Sequence, residues 1–259
     1  MKRLLDIVAA TLGLVLLSPL LIVLSVAIWL QDYHSPFYIA SRMGRGERPF
    51  RMAKFRSMVI RADKSGVDST AGDDPRITSL GKFIRRFKLD EIPQLWNVLA
   101  GTMSLVGPRP NVERETVLYT PDEKRLLSVR PGITDLASIV FADEGEILQG
   151  SSDPDLKYNQ IIRPWKSRLG LLYVDARPSV ARDLRVILLT IKGALDRAAA
   201  LAGVYDVARE IGATPELLEI ITRRAPLPAA APPGATEIVQ SRRWSPEVTI
   251  GHRVTETPS

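Results

Sequence analysis

Two adjacent carboxylates among cations are the residues of this chain best suited to chemistry. Asp90 and Glu91 lie in the stretch from Lys88 to Gly101, KLDEIPQLWNVLAG, at the mouth of a short predicted helix. Arg85 precedes them, and Arg109 follows in a Gly107-Pro108-Arg109-Pro110 turn. A carboxylate that attacks a phosphate needs the phosphate's charge neutralised. Arg85, Arg109 and a bound magnesium ion could supply this. The amide groups and macrodipole at a helix start also favour anions, phosphates and carboxylates alike. Sequence neighbours on a regular helix diverge by about 100°, but at a helix start they can converge on one ligand. Spacing alone leaves a plainer reading open, and it is the commoner one. Asp90 would then only cap the helix, Glu91 would only answer its dipole, and Arg109 would only ride on a rigid turn.

Composition narrows the chemistry. The chain has 259 residues and a formal net charge of +6, which suits an anionic partner such as a membrane surface, a nucleotide or a nucleic acid. Cysteine is absent, so disulfides and thiolate metal sites are excluded. The histidines are His34 and His252, both remote in sequence from the acidic pair. A histidine-ligated zinc and a Ser-His-Asp triad are therefore disfavoured, and a metal here should be a hard cation held by oxygen, magnesium first. No phosphate-binding P-loop is present, because Ser79-Leu80-Gly81-Lys82 lacks the upstream glycine spacing. A nucleic-acid binder would rest on net charge alone, without interleaved aromatics or a motif.

The elements that must position these residues begin with an apolar segment. Ile7 to Leu30 is 24 residues without a charge, roughly 36 Å as one helix, long enough to cross a bilayer. A cleaved signal peptide fits poorly: the stretch is too long and no small-x-small site follows it. Ser18-Pro19 interrupts the segment near its middle, where proline removes a helical hydrogen bond and kinks the chain. Lys2 and Arg3 precede it; Arg42, Arg45, Arg48, Arg51, Lys54 and Arg56 follow it. Both flanks thus prefer the cytoplasm. A helix broken at Ser18-Pro19 could enter one leaflet and return, or a kinked helix could span; the residues alone leave both open.

Strand-like pieces from Pro36 and Pro49 flank the turn-rich residues 42–46 and predict a hairpin. Residues 61–78 read as a charged loop. Ser79 is a plausible cap for a helix through Lys88, with Leu80, Phe83, Ile84 and Phe87 on one face and Lys82, Arg85 and Arg86 elsewhere. That pattern fits an interfacial helix or an ordinary core helix with a solvated basic face. Asp90 is placed to cap the next helix, with Pro93 in its first turn and its end near Gly101. Residues 102–135 read as loops and turns. Helices are predicted over 156–170, where Pro164 breaks the pattern, and over 179–201, with a further helical stretch toward Arg224. The Pro/Ala-rich APLPAAAPPGATE and the tail to Ser259, which contains Trp244, are expected to be disordered.

Taken together, these motifs are more specific than any one of them. The chain resembles the bacterial sugar transferase family, the monotopic polyprenol-phosphate phosphoglycosyl transferases, through most of residues 1–200. The resemblance rests on Lys2-Arg3 and Asp6, on Ser18-Pro19, and on Lys54-Phe55-Arg56-Ser57-Met58. It continues through Asp74-Pro75-Arg76-Ile77-Thr78, Leu89-Asp90-Glu91-Ile92-Pro93-Gln94-Leu95 and Asn97-Val98-Leu99. Gly101 to Pro110 and Arg130-Pro131-Gly132-Ile133-Thr134 complete it.

The resemblance implies an α+β, mainly helical fold: a re-entrant membrane helix-break-helix turning at Ser18 and Pro19, interfacial amphipathic helices and a small β-hairpin or sheet. It implies an anchor over 1–34 and a cytosolic catalytic domain over 35–204. The residues 205–259 form a C-terminal extension, largely disordered after 224. Asp90 would be the nucleophile, attacking the β-phosphate of a UDP-sugar and releasing UMP. Polyprenyl (undecaprenyl) phosphate would then take the phosphosugar from the aspartyl intermediate. Glu91 would act as general base or metal-side partner, Mg2+ would sit against Asp90, and Arg85 and Arg109 would face the phosphates. The location implied is the cytoplasmic face of the bacterial inner membrane. Downstream glycosyltransferases are possible partners, and no nucleic acid is expected. A non-catalytic scaffold of a polysaccharide-assembly complex is the alternative; intact Asp90, Glu91, Arg85 and Arg109 argue against it. The sequence departs from the family pattern at Ala40-Ser41, at Lys88, where serine or threonine is common, and at Asp135, where glycine is usual. The Asp135 region could affect sugar choice.

Overall fold

The apolar segment folds as one helix, α1 (Lys2–Asp32), in a computed structural model that describes residues 1–62 and 70–241. By length and composition α1 could cross a membrane. The expected break at Ser18-Pro19 is not there: the helix runs through Pro19 without interruption. Proline removes the amide that would bond the Val15 carbonyl, and the Ser18 hydroxyl donates to that carbonyl at 2.8 Å instead.

Both ends of α1 are tied to the same body. At the start, Lys2 Nζ donates to the Val106 carbonyl at 2.9 Å and to Asp183 at 2.7 Å. Arg3 donates to the Val98 and Leu99 carbonyls, and the Asp6 carboxylate accepts from Ser104 Oγ and the Leu105 amide. At the far end Arg56 clasps the Asp32 carboxylate, while Leu24 and Ile28 join Phe55 and Ile84 in a buried cluster. The other face shows Leu12, Leu16, Val23 and Leu30 to the surroundings.

The predicted hairpin forms from β1 (Phe37–Met43) and β2 (Pro49–Phe55), antiparallel with Ala40 opposite Met52. Helix α2 (Ser79–Arg86) is capped by Thr78, one residue before the expected Ser79, and stops short of Lys88, which is left-handed at φ 54°. A 3-10 turn (Leu89–Glu91) leads through Pro93 into α3 (Gln94–Ala100), which ends at left-handed Gly101 as expected. Asp90 does not cap α3, because the helical backbone already begins at the turn that contains it. Among residues 102–135, expected to be loops, β3 (Ser104–Val106) pairs in parallel with β4 (Gly132–Thr134), and α4 (Glu113–Thr116) and α5 (Pro121–Lys124) lie between them. Three-residue strands and one-turn helices are too short to carry a hydrophobic period.

The C-terminal half supplies the main core. After α6 (Leu136–Val140) and α7 (Glu144–Leu148), the segment expected as one helix over 156–170 is two. They are α8 (Pro154–Ile161) and α9 (Arg163–Asp175), with Pro164 accommodated in the first turn of α9. Likewise 179–201 divides at Asp196, which caps α11 (Arg197–Glu210) after α10 (Val180–Leu195) ends. The boundary expected at 204 therefore falls inside α11. Helix α12 (Pro215–Thr222) follows, and Trp165, Leu169, Val186, Val204 and Ile221 share one buried cluster. The Pro/Ala-rich stretch forms no helix or strand up to 241, yet it is laid onto α8 and α9. Trp165 donates to the Pro228 carbonyl at 2.9 Å, Arg168 to Ala231 at 3.0 Å and Gln160 to Val239 at 2.8 Å. Proline removes donors but leaves carbonyls, and side chains of the helices supply the missing donors. Trp244 and the rest of the tail lie outside the described residues, as does part of the charged loop over 61–78.

One buried network fixes α5 on α9. Glu123 is fully buried, and its carboxylate accepts from Arg163, from Ser167 Oγ at 2.7 Å and from the Thr120 amide at 3.1 Å. Replacing one member of a buried ion pair strands the other charge, at a cost of about 3–5 kcal/mol. Glu123→Leu should lower the unfolding free energy by about that amount in chemical denaturation. Glu123→Leu with Arg163→Met should recover much of the loss.

Candidate active site

Three elements meet at the acidic pair. The 3-10 turn places Asp90 and Glu91 beside β2, and the loop after β3 carries Arg109 to them. Two close approaches set these distances. A Cβ on Gly81 would stand 1.9 Å from the Ser57 carbonyl oxygen, so α2 rests directly on the segment after β2. A Cβ on Gly132 would stand 2.2 Å from the Gly107 amide nitrogen. Glycine at 107 and 132 lets the Gly107 amide reach the Thr134 carbonyl and the Gly132 amide reach the Pro108 carbonyl, each at 3.0 Å. The Gly-Pro-Arg-Pro turn is thereby fixed against β4.

Arg109 then grips Glu91 through both guanidinium nitrogens, at 2.8 and 2.6 Å, and donates to the Ile133 carbonyl at 2.7 Å. Lys54, on β2, stands 3.6 Å from the same Glu91 carboxylate. A forked arginine–carboxylate pair is among the strongest polar contacts in proteins. Burial pushes the Glu91 carboxyl up, but Arg109 and Lys54 outweigh it and hold Glu91 well below the usual carboxylate range. Glu91 is therefore ionised and weakly basic, which disfavours proton abstraction near neutral pH.

Asp90 is the opposite case. It is 8% exposed, and among the described residues its carboxylate makes no side-chain hydrogen bond. Burial raises its pKa, Lys54 opposes this, and the neighbouring Glu91 adds to the rise. Two adjacent carboxylates thus have divergent environments, one committed to cations and one uncommitted. The guanidinium of Arg85, on α2, makes no hydrogen bond among the described residues, but its charge acts on Asp90 and on Asp74. The Asp74 carboxyl is held low by Arg76, which donates to it from Nε at 2.9 Å and from Nη2 at 2.6 Å.

All four site residues singled out in the sequence, Asp90, Glu91, Arg85 and Arg109, come together. Ser18 and Pro19 lie within α1, away from the acidic pair in sequence and held by other contacts. Lys54 also stands at the site, although the sequence reading counted it only among the basic residues after the apolar segment and in the Lys54-Phe55-Arg56-Ser57-Met58 motif. Its signal was its place between buried Met52 and Phe55 in β2. Desolvation lowers its pKa and Glu91 opposes that shift. Asp135 has an evident local role: it caps α6, accepting from the Ser138 amide at 2.6 Å, and its charge also acts on Arg109. Lys88, exposed, closes the 3-10 turn by accepting from the Glu91 amide at 3.2 Å through its carbonyl.

The model of the bacterial sugar transferase family matches residues 1–197. The chain belongs to that family. It is 34% identical over 201 residues to the UDP-glucose:undecaprenyl-phosphate glucose-1-phosphate transferase of Caulobacter vibrioides, covering 75% of this chain and 69% of the relative. It is 35% identical over 211 residues to the Escherichia coli protein of the same name, covering 77% of this chain and 41% of the relative. A galactosyl transferase, CpsE, of Streptococcus agalactiae is 37% identical over 206 residues, covering 74% of this chain and 41% of the relative. The chain thus spans well under two thirds of the last two proteins. The matched family region ends close to the junction of α10 and α11.

Glu91→Gln would leave Arg109 and Lys54 without their counter-charge. With both partners partly exposed, the expected loss is about 1–3 kcal/mol of unfolding free energy. Because the Glu91 carboxyl is depressed, its contribution is complete above its ordinary value of 4.5 and is lost as the pH falls well below that. Denaturation of both proteins across pH should show the wild-type advantage at neutral pH and its decline in acid.

Proposed function

We propose that the chain transfers a sugar 1-phosphate from a UDP-sugar to polyprenyl (undecaprenyl) phosphate through a covalent intermediate on Asp90. The observation that carries this reading is the split between the two carboxylates. Asp90 is uncommitted and surrounded by Lys54, Arg85 and Arg109, whereas Glu91 is bound to two of those cations. The names of the relatives, which include undecaprenyl-phosphate sugar-phosphate transferases, support the substrate classes.

In the first step an Asp90 carboxylate oxygen forms a bond to the β-phosphorus. The bond from that phosphorus to the oxygen bridging the two phosphates breaks, and UMP leaves with the electron pair. In the second, a phosphate oxygen of the lipid forms a bond to the same phosphorus. The bond to Asp90 breaks, restoring the carboxylate and giving the lipid diphosphate sugar. Arg109 and Lys54 lie where phosphate charge develops, and Glu91 holds them in place. Two half-reactions let a soluble donor and a lipid acceptor use one site in turn.

The donor set fits magnesium. Among the described residues no three His, Cys, Asp or Glu side chains gather around a common point, and magnesium is commonly held by one or two carboxylates with substrate phosphates and water. Asp90 would hold it. When bound it would neutralise charge on the donor phosphates.

The membrane reading follows from α1. Its two ends contact one folded body, so a helix crossing to the far side would have to abandon either the Lys2, Arg3 and Asp6 contacts or the Arg56–Asp32 clasp. We infer that α1 enters one leaflet and both ends stay at the cytoplasmic face of the inner membrane. The turn is made by bending at Ser18-Pro19 rather than by interrupting the helix.

Two experiments test these readings. Purified wild type with magnesium, polyprenyl phosphate and a panel of UDP-sugars should release UMP with at least one donor. Asp90→Asn should lose that release, and no phosphosugar should be trapped on the variant. Release that survived in Asp90→Asn would remove Asp90 as the nucleophile. The chain has no cysteine, so single cysteines at Met1 and Tyr33 can be labelled in vesicles of known orientation. Both should react with an impermeant maleimide from the cytoplasmic side; reaction from opposite sides would overturn the one-leaflet topology.

A further inference from the structure

One helical turn after the acidic pair lies a buried polar group that the reaction scheme does not use. Gln94 is 0% exposed, and no protein group lies within hydrogen-bonding reach of its side-chain oxygen or its side-chain nitrogen. Both ends of one amide are thus buried and unpartnered. Such a group costs about 1–3 kcal/mol for each unmet end, and buried polar atoms are nearly always satisfied by protein or ordered water.

Its position is defined by its neighbours. The backbone is helical from the 3-10 turn through Ile92 and Pro93 into α3. Glu91, Gln94 and Asn97 therefore recur on one face, with Asp90 one turn before Gln94. The outer two reach β2: Glu91 pairs with Lys54, and Asn97 accepts from the Ala53 amide at 2.9 Å and donates to the Arg51 carbonyl at 2.7 Å. Helical spacing puts Gln94 between these contacts, and the backward tilt of a helical Cβ directs it toward the turn that carries Asp90 and Glu91. The Asp90 carboxylate just above it lacks a side-chain hydrogen bond of its own among the described residues.

We propose that Gln94 is a positioning residue whose amide holds an ordered water in the seam between α3 and β2, and that this water fixes the Asp90 carboxylate for attack. The water accepts from Gln94 Nε2 and donates to an Asp90 oxygen, and the Gln94 oxygen accepts from a second water in the same seam. A polar seam with several partners is the setting in which internal water is stably held. This assignment rests on the reading of Asp90 as the reacting group.

The test compares wild type with Gln94→Met, which keeps length and volume but not hydrogen bonding, and with Gln94→Asn, which keeps the amide donor and acceptor one methylene shorter. UMP release and thermal unfolding are measured on each full-length protein. Gln94→Met should lower kcat about tenfold or more, since small misplacement of a reacting group is costly. KM for the UDP-sugar should stay within roughly twofold, and the melting temperature should not rise. Gln94→Asn should retain part of the kcat that Gln94→Met loses. The proposal is overturned if Gln94→Met keeps its kcat and melts higher, because an amide with no water to bind is only a destabilising defect. It is also overturned if activity falls only in proportion to folded protein. A wild type that released no UMP would instead defeat the functional reading. Melting would then decide the water alone: a rise in Gln94→Met would refute it and a fall would uphold it.

Discussion

The forked contact between Arg109 and Glu91 is the interaction on which the site depends. It joins the turn after α2 to the loop after β3, and through the Ile133 carbonyl it reaches β4. Lys54 adds the hairpin to the same carboxylate. One side chain therefore gathers three segments that are distant in sequence. Its cost is that Glu91 is committed. A carboxylate carrying two cations is ionised, oriented and chemically quiet, and among the described residues the neighbouring Asp90 carboxylate is left without a side-chain hydrogen bond. The division of labour follows from what each carboxylate touches.

Around that contact the fold works as a set of braces. Glycine at 107 and 132 allows backbone segments to approach within hydrogen-bonding distance, and a side chain at either position would push Arg109 away from Glu91. Asn97 stitches α3 to β2 one turn below the pair. The first residues of α1 also reach this region, with Arg3 meeting the last carbonyls of α3 and Asp6 receiving the start of β3. The apolar helix is thus part of the site's foundation. Packed side chains therefore fix the start of the apolar helix relative to α3 and β3.

Beyond the matched family region the chain continues the same core. Val204, Val207 and Ile221 bury against residues of α6, α9 and α10, and the stretch after α12 lies across α8 and α9 through carbonyl groups. Its composition is that of a disordered tail, and proline and alanine do make a poor core. The partners that order it come from elsewhere: Trp165, Arg168 and Gln160 donate to a chain that has acceptors to spare.

Much was determined locally by the sequence. The hairpin, the cap and stop of α3 at Gly101, the long apolar helix and the nomination of Asp90, Glu91, Arg85 and Arg109 rest on residue types and short spacings, which act over a turn or two. Local rules failed where the deciding partner lies far along the chain. Lys54 reads as an ordinary strand cation until Glu91 is brought to it, and Asp90 reads as a helix cap until the preceding turn proves to be helical already. The break expected at Pro19 was healed by the adjacent Ser18, a local effect that the residues contained but proline's general behaviour obscured. Sequence alone therefore supplied the chemical groups and the helical and extended segments. Only the tertiary structure decided which carboxylate is held and which is left to react. Burial and long-range ion pairs set that difference, and neither exists until the segments pack together.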